Sequence, residues 1–247
     1  MRIPVIRGLI KRRILANFRA DPRVTQKLLP SVFRPKLQDG MAIVGVCLIR
    51  LEEIRPLGLP GFVGVASENA AHRMAVTWTG ADGAEREGVY IARRDTGSWF
   101  NRLTGGRLFP GEHHKAFFSV AFENGDLDYR MRSSDGRASV LVKGAKAEGL
   151  PETSCFKDLG QASAFFQGGS LGYSVTKDPC RLDGLVLGTR NWLVTPLAVR
   201  EIESSFYSDA TRFPKGSIEF DHALLMQDVE HEWRGEKDML LGSPAPI

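Results

Sequence analysis

The sequence predicts a β-rich α+β fold, in which an antiparallel sheet closes or half-closes into a barrel-like form with a few helices outside. Three strand-like runs, at 117–123, 127–133 and 138–143, are separated by Asn124-Gly125 and Asp135-Gly136. These dipeptides tolerate positive φ and favour tight hairpins, so the runs form a meander. Further short runs and few helical segments complete the pattern of a closed antiparallel sheet.

The first half of the chain contains two short helices among strands. Asp21 caps a helix over residues 23–29, with Pro22 at its first position and Pro30 ending it. The aliphatic run 41–51 predicts a buried strand. Residues 73–79 and 88–94 form two strands joined across a Gly-containing turn, and residues 98–108 form a helix.

The second half continues the β pattern after the meander. In the run 127–133, apolar and charged residues alternate, so one face is buried. A short helix over 163–169 precedes strands at 171–175, 182–189 and 198–206, a core-forming segment at 220–226 and a strand or turn at 229–233. Without repeats or an internal linker, residues 1–240 form one domain, and residues 241–247 form a loose tail.

Composition excludes several classes of protein. The 33 basic and 29 acidic residues give a net charge of only +4, and the basic residues near the start lack interleaved aromatics, so we expect no nucleic-acid partner. No apolar run reaches the ~18 residues of a membrane span, and we expect no signal peptide and no membrane partner. The three cysteines are widely spaced, which predicts a reducing, cytoplasmic location, with Cys47 as a core thiol.

The tripeptide His113-His114-Lys115 carries the most specific chemistry. It stands between a Pro-Gly break and an apolar strand, so Lys115 can enter a low-dielectric site. Burial and neighbouring cations favour the uncharged amine, which is the form that attacks a ketone to make a Schiff base. The alternative interpretation is a basic loop that opens a strand.

Several motifs, in order, resemble the acetoacetate decarboxylase family. The chain resembles that family over residues 10–235, and within it the uncharacterised bacterial relatives most closely. The motifs are Phe18-Arg19-Ala20-Asp21 with Leu28-Leu29-Pro30, Ser67-Glu68-Asn69, the segment from Arg107 through Pro110 to Lys115, and Phe220-Asp221-His222-Ala223. The resemblance implies a β-rich barrel-like fold with an internal pocket, assembled as a homo-oligomer.

The resemblance also implies site residues. The decarboxylases carry two adjacent lysines, one of which forms the Schiff base. Counting from Arg107 puts His114 at the reactive position and Lys115 at its neighbour, whereas a slip of one residue makes Lys115 the nucleophile. Glu68 falls on the family's active-site glutamate. Lys11, or the adjacent Arg12, falls where the family has a pocket arginine.

Other candidates come from the residues themselves. Glu68, with Asn69 beside it, would act as general base or hold an amine charged. Arg73 offers a bidentate clamp for a carboxylate, and strand alternation turns one of Arg93 and Arg94 inward, with Arg94 taken as the ligand-binding one. Asp221-His222 is read as structural. The spacing around His231 fits no metal site, so we expect no metal and no organic cofactor.

These observations lead to three hypotheses. In the first, the chain binds a small oxo-acid or carboxylated ligand and acts as a Schiff-base lyase of decarboxylase, aldolase or dehydratase type. In the second, the same fold binds or senses a small molecule without catalysis. In the third, the protein is a structural oligomer whose pocket is filled by side chains.

Overall fold

The computed structural model describes residues 5–98 and 111–241. Within them the chain forms thirteen strands and two α-helices, α1 (Pro22–Lys27) and α2 (Leu159–Gly168). The strands are β1 (Ile6–Ala20), β2 (Arg34–Pro35), β3 (Leu37–Gln38), β4 (Met41–Pro56), β5 (Val65–Thr79), β6 (Glu85–Thr96), β7 (His113–Glu123), β8 (Asp126–Ser133), β9 (Ser139–Lys146), β10 (Leu171–Val175), β11 (Arg181–Thr189), β12 (Thr195–Ser204) and β13 (Ile218–Leu240). Neither helix is long and apolar enough to cross a membrane.

The strand pairing closes into two rings that share one wall. The first ring runs β6–β7–β8–β9–β12–β13–β1–β4–β5 and closes where β5 pairs with β6. The second ring runs from β6 through β10 and β11 to β13, and returns along the shared strands β1, β4 and β5. We call them the nine-strand ring and the seven-strand ring.

The predicted β-rich α+β class is confirmed, with one difference in strand direction. β6 pairs in parallel with both β7 and β10, whereas the sequence predicts only antiparallel pairs. Parallel neighbours need a long connection instead of a tight turn, and residues 97–112 between β6 and β7 provide one.

Local signals place most elements correctly. Asn124, with φ of 51°, and Gly125, with φ of 85°, make the first hairpin turn of the meander β7–β8–β9. The two segments predicted near the end are one strand, β13, which continues through Asp228. α2 begins earlier than predicted because the Asp158 side chain accepts a hydrogen bond from the Gln161 N–H and caps it. Apart from Ser98, the helix predicted at 98–108 lies outside the described residues.

Each ring encloses its own interior. All nine strands of the first ring send apolar side chains into one packed core, which includes the fully buried Tyr129 and Tyr207. The Tyr207 hydroxyl lies 2.6 Å from the Gly45 carbonyl oxygen and accepts from the Gly45 N–H at 3.1 Å, so it fixes the loop after β12 to β4. On the other face of the shared wall, α2 packs its phenylalanines and leaves a cavity.

The Asp221-His222 pair anchors this second layer. The Asp221 carboxylate accepts from the Ser154 hydroxyl at 2.7 Å and from the Cys155 N–H at 2.9 Å. His222 Nδ1 lies 2.5 Å from the same carboxylate, and both side chains are fully buried. The pair therefore holds the loop that leads into α2 against β13.

Candidate ligand-binding cavity

A cavity of about 360 Å³ lies inside the seven-strand ring. Every strand of that ring contributes to its lining, and the end of α2 covers it. Its apolar walls include Ile49, Leu51, Ile91, Leu185, Leu187, Trp192 and Trp233. The volume falls within the range of small-molecule sites, which is roughly 300 to 1,000 Å³.

One row of paired residues crosses the floor of the cavity. Cys47 of β4 pairs with Ala71 of β5, Ala71 pairs with Arg94 of β6, and Arg94 pairs with His113 of β7. Paired residues on neighbouring strands project to the same face, so all four line the cavity. The small side chain of Ala71 leaves open space between Cys47 and Arg94.

Two more arginines flank Cys47 from the neighbouring strands. Arg13 of β1 donates from Nε to the Cys47 sulfur at 3.3 Å, and its guanidinium carbon lies 5.6 Å from the ring centre of Trp192. Arg73 of β5 donates from Nη2 to the Asn17 Oδ1 at 2.6 Å. Its guanidinium carbon lies 5.0 Å from the ring centre of Phe166, on α2. The cavity is therefore lined by three guanidinium groups, those of Arg13, Arg73 and Arg94.

None of the three arginines forms an ion pair within the described ranges, although the more distant charge of Asp183 acts on Arg94. Within residues 5–98 and 111–241, no carboxylate oxygen lies within 4.0 Å of Arg13, Arg73 or Arg94. Arg73 is only 4% exposed, and its Nε and Nη1 have no hydrogen-bond partner in this part of the chain. Burial lowers the pKa of Arg73 and of Arg94 to about 10, so both remain cations at neutral pH. Buried, unpaired charge is costly, and an anionic ligand would balance it.

His113 is a neutral group in the same cavity. Burial, followed by the nearby Arg94 charge, lowers the pKa of its imidazole to about 3. Nδ1 lies 3.2 Å from the Gly111 carbonyl oxygen. Because a carbonyl only accepts, Nδ1 carries the proton and Nε2 is the acceptor nitrogen.

The structure brings three of the predicted site residues together. Arg73, Arg94 and Asn69 all line the cavity, and Asn69 Oδ1 accepts from the Thr96 hydroxyl at 2.7 Å. Arg94 faces the cavity and Arg93 the nine-strand ring, where Arg93 binds both oxygens of Asp95 at 2.9 and 2.8 Å.

The other predicted residues lie elsewhere. Lys115 pairs with Thr96 and so lies on the cavity's face of the sheet, but its side chain is exposed and its Nζ lies 5.2 Å from the Phe117 ring centre. Glu68 and His114 alternate with cavity residues and face the opposite side. There Glu68 accepts from Arg12 Nη2 at 2.8 Å.

His114 and Lys11 are each near a carboxylate outside the cavity. His114 Nδ1 lies 3.7 Å from the carboxylate of Asp135. Lys11 stands at a bulge of β1 and reaches outward to Asp228 at 2.6 Å. The catalytic roles of Lys115, Glu68 and His114 stay predictions.

Several cavity residues are not among the sequence candidates. Arg13, two residues beyond the extra residue Lys11 of the β1 bulge, lines the cavity, whereas the resemblance to the family implied Lys11 or Arg12 as the pocket cation. Cys47 is buried as predicted, but it faces the cavity. His113 belongs to the tripeptide that the sequence singles out, and strand alternation alone would have offered it as an alternative to His114. The described residues contain no group of three His, Cys, Asp or Glu side chains that could hold a metal ion.

The family DUF2071, described as an "Uncharacterized conserved protein", matches residues 10–214. The chain belongs to this family. None of the curated proteins compared with it matches.

Solved structures with the same fold are acetoacetate decarboxylases and their relatives. The decarboxylase of Legionella pneumophila has a TM-score of 0.60 at 10% identity, over 96% of this chain and 88% of its own. An acetoacetate decarboxylase-like enzyme of Sphingomonas wittichii has a TM-score of 0.57 at 12% identity, over 97% of this chain and 93% of its own. The enduracididine biosynthesis enzyme MppR, complexed with pyruvate, has a TM-score of 0.55 at 9% identity, over 96% of this chain and 90% of its own. The resemblance read from the sequence is thus confirmed for the fold.

Proposed function

We propose that the protein binds a small carboxylated ligand, of the oxo-acid class, in the cavity of the seven-strand ring. The observation that carries this proposal is the set of three cavity arginines without a described carboxylate partner. The fold relative MppR is complexed with pyruvate, a small oxo-acid anion, which supports the same ligand class.

The cavity can satisfy both ends of such a ligand. Arg73 has two guanidinium nitrogens without a described partner, and N–H groups of this kind form strong, charge-assisted hydrogen bonds with a carboxylate. Trp192, Trp233 and the aliphatic walls would contact the carbon body, while His113 offers a neutral nitrogen to an oxo or hydroxyl group. Binding without imine chemistry is favoured, because no described lysine lines the cavity.

Tryptophan fluorescence and calorimetry test the proposal, because Trp192 and Trp233 line the cavity. Pyruvate, acetoacetate and longer oxo acids are titrated against their neutral amides. We expect saturable binding of the acids only, and a loss of at least about thirtyfold in affinity, or 2 kcal/mol, in Arg73→Met. Arg137→Met is the matched control, since Arg137 is exposed in the second hairpin turn. If none of the acids gives a saturable signal, the proposal is overturned.

A second candidate is Schiff-base chemistry at Lys115, favoured by the position of this lysine on the cavity's face of the sheet. Borohydride reduction in the presence of β-keto and α-keto acids would trap the imine, and peptide mapping would locate it. An adduct on Lys115 that disappears in Lys115→Ala supports a decarboxylase-, aldolase- or dehydratase-type lyase, with Glu68 or His114 in the predicted proton-transfer roles. No adduct with any acid in the folded protein leaves the binding function alone.

A further inference from the structure

Cys47 is placed differently from the other two cysteines. It lines the arginine cavity, whereas Cys155 and Cys180 do not. The Cys155 N–H donates to the Asp221 carboxylate, and the Cys180 N–H donates to the Asp178 carboxylate. Burial, followed by the Asp221 charge, raises the pKa of the Cys155 thiol to about 12. The Cys155 thiol therefore lies near a carboxylate, whereas two arginines flank Cys47.

The sheet register creates this positive environment. Cys47 lies between Leu15 of β1 and Ala71 of β5. Arg13 stands two residues before Leu15 and Arg73 two residues after Ala71, so the two arginines lie on opposite sides of Cys47. Arg13 donates directly to the sulfur at 3.3 Å. The arginines beside the sulfur therefore offer N–H donors to an anionic electrophile that approaches it.

A second, independent observation places an anion beside the sulfur. Arg73 is more than nine-tenths buried, lines the same cavity and has two nitrogens without a described partner. Those nitrogens are the expected seat of a ligand carboxylate. The space over Ala71, between Cys47 and Arg94, is then the place for the rest of the ligand.

We infer that Cys47 is the reactive nucleophile of the cavity and forms a covalent bond with a small carboxylated electrophile that the arginines hold. This inference rests on the proposed binding function. With an oxo acid, the sulfur adds to the carbonyl carbon and a C–S bond forms. The π pair of the C=O bond moves to oxygen, which takes the thiol proton, and the product is a reversible thiohemiketal. The step consumes no oxidant and no reductant.

Iodoacetate is a suitable irreversible probe, because it is a small carboxylated electrophile. The sulfur attacks its CH₂ carbon, the C–S bond forms, the C–I bond breaks, iodide leaves and the thiol proton passes to buffer. Iodoacetamide is its neutral, nearly isosteric control. Rates at each cysteine of the full chain are followed by peptide mass spectrometry.

We expect Cys47 to react about tenfold faster with iodoacetate than with iodoacetamide, because a cleft of one charge sign concentrates the opposite charge. Cys155 and Cys180 in the same sample should show no such preference. Arg73→Met should abolish the preference while iodoacetamide still labels Cys47. A cooperative urea-unfolding transition shows that this variant is folded. Arg137→Met should behave as the wild type, and Cys47→Ser should lose the adduct.

The result separates this inference from the binding function. If pyruvate changes the tryptophan fluorescence but Cys47 is labelled only in urea, the inference fails and the binding function stands. Equal rates with the two reagents also overturn the inference. If pyruvate gives no signal and Cys47 shows no preference for the anion, both fail.

Discussion

His72 should make the protein sensitive to acid, because its ring is buried in a place that disfavours a proton. The ring is fully buried in the nine-strand ring and packs 4.7 Å from the Phe206 ring centre, and neither nitrogen has a described hydrogen-bond partner. Burial, with a smaller contribution from the positive charges of Arg93 and Arg212, lowers the pKa from 6.5 to about 3. The Asp95 carboxylate is 3.9 Å from Nδ1, but Arg93 already occupies both of its oxygens.

The sign and size of the effect follow from these values. Between pH 6.5 and 3 the unfolded chain binds a proton at His72 and the folded chain does not, so the stability is present above pH 6.5 and is lost as the pH falls. At pH 5.0 the loss spans about 1.5 pH units, or about 2 kcal/mol at roughly 1.4 kcal/mol per unit. When the pH is lowered from 7.5 to 5.0, the free energy of unfolding should therefore fall by about 2 kcal/mol less in His72→Leu than in the wild type.

Urea unfolding at the two pH values measures this difference. Phe206→Leu is the matched control, because it disturbs the same packing without removing a titrating group, and it should cost the same free energy at both pH values. Other buried histidines contribute equally to wild type and variant, so they cancel in the comparison. Parallel pH dependence of the wild type and His72→Leu would refute the reasoning.

Three further predictions concern stability, and chemical denaturation measures each. Arg73→Met should raise the free energy of unfolding of the ligand-free protein by about 1 kcal/mol. Removing a buried charge without an ion-pair partner outweighs the loss of the hydrogen bond to Asn17. A clear loss of stability would contradict this. Tyr207→Phe should cost about 1–3 kcal/mol, whereas Tyr129→Phe, whose buried hydroxyl has no described partner, should be neutral or stabilising. Similar losses in both would be inconsistent with this. Asp158→Ala should cost about 1 kcal/mol and Asp158→Asn much less, because the side chain caps α2.

The fold was most predictable where the decisive signal is local. The turn dipeptides define the meander, and Asp21 defines the start of α1. Closure of the two rings depends on pairs far apart in sequence, such as β1 with β13, and no local pattern reports them. The parallel pairs of β6 escaped prediction for the same reason.

Some of the residues that line the cavity were predicted from the sequence and others were not, and strand bulges are one reason. Arg73 was proposed as a bidentate clamp for a carboxylate, and Arg94 because strand alternation turns one of Arg93 and Arg94 inward. Both line the cavity. An extra residue in β1, and another in β6 at the level of His72 and Arg73, reset which neighbours face the cavity. Lys11 was assigned by a gap-free count against the family, and the bulge in β1 lies at this residue, whose side chain reaches outward to Asp228. The expected cytoplasmic location and homo-oligomer stay predictions.

The two faces of the wall shared by the rings have different roles: one packs in the core and the other lines the cavity. Along β4, alternate side chains serve the packed core and the cavity, so Val46 belongs to the core and Cys47 to the cavity. Substitutions at cavity positions can alter what is bound while the core that stabilises the same strand is untouched. The nine-strand ring thus supplies the stable core, and the seven-strand ring supplies a cavity whose lining can change without altering the fold.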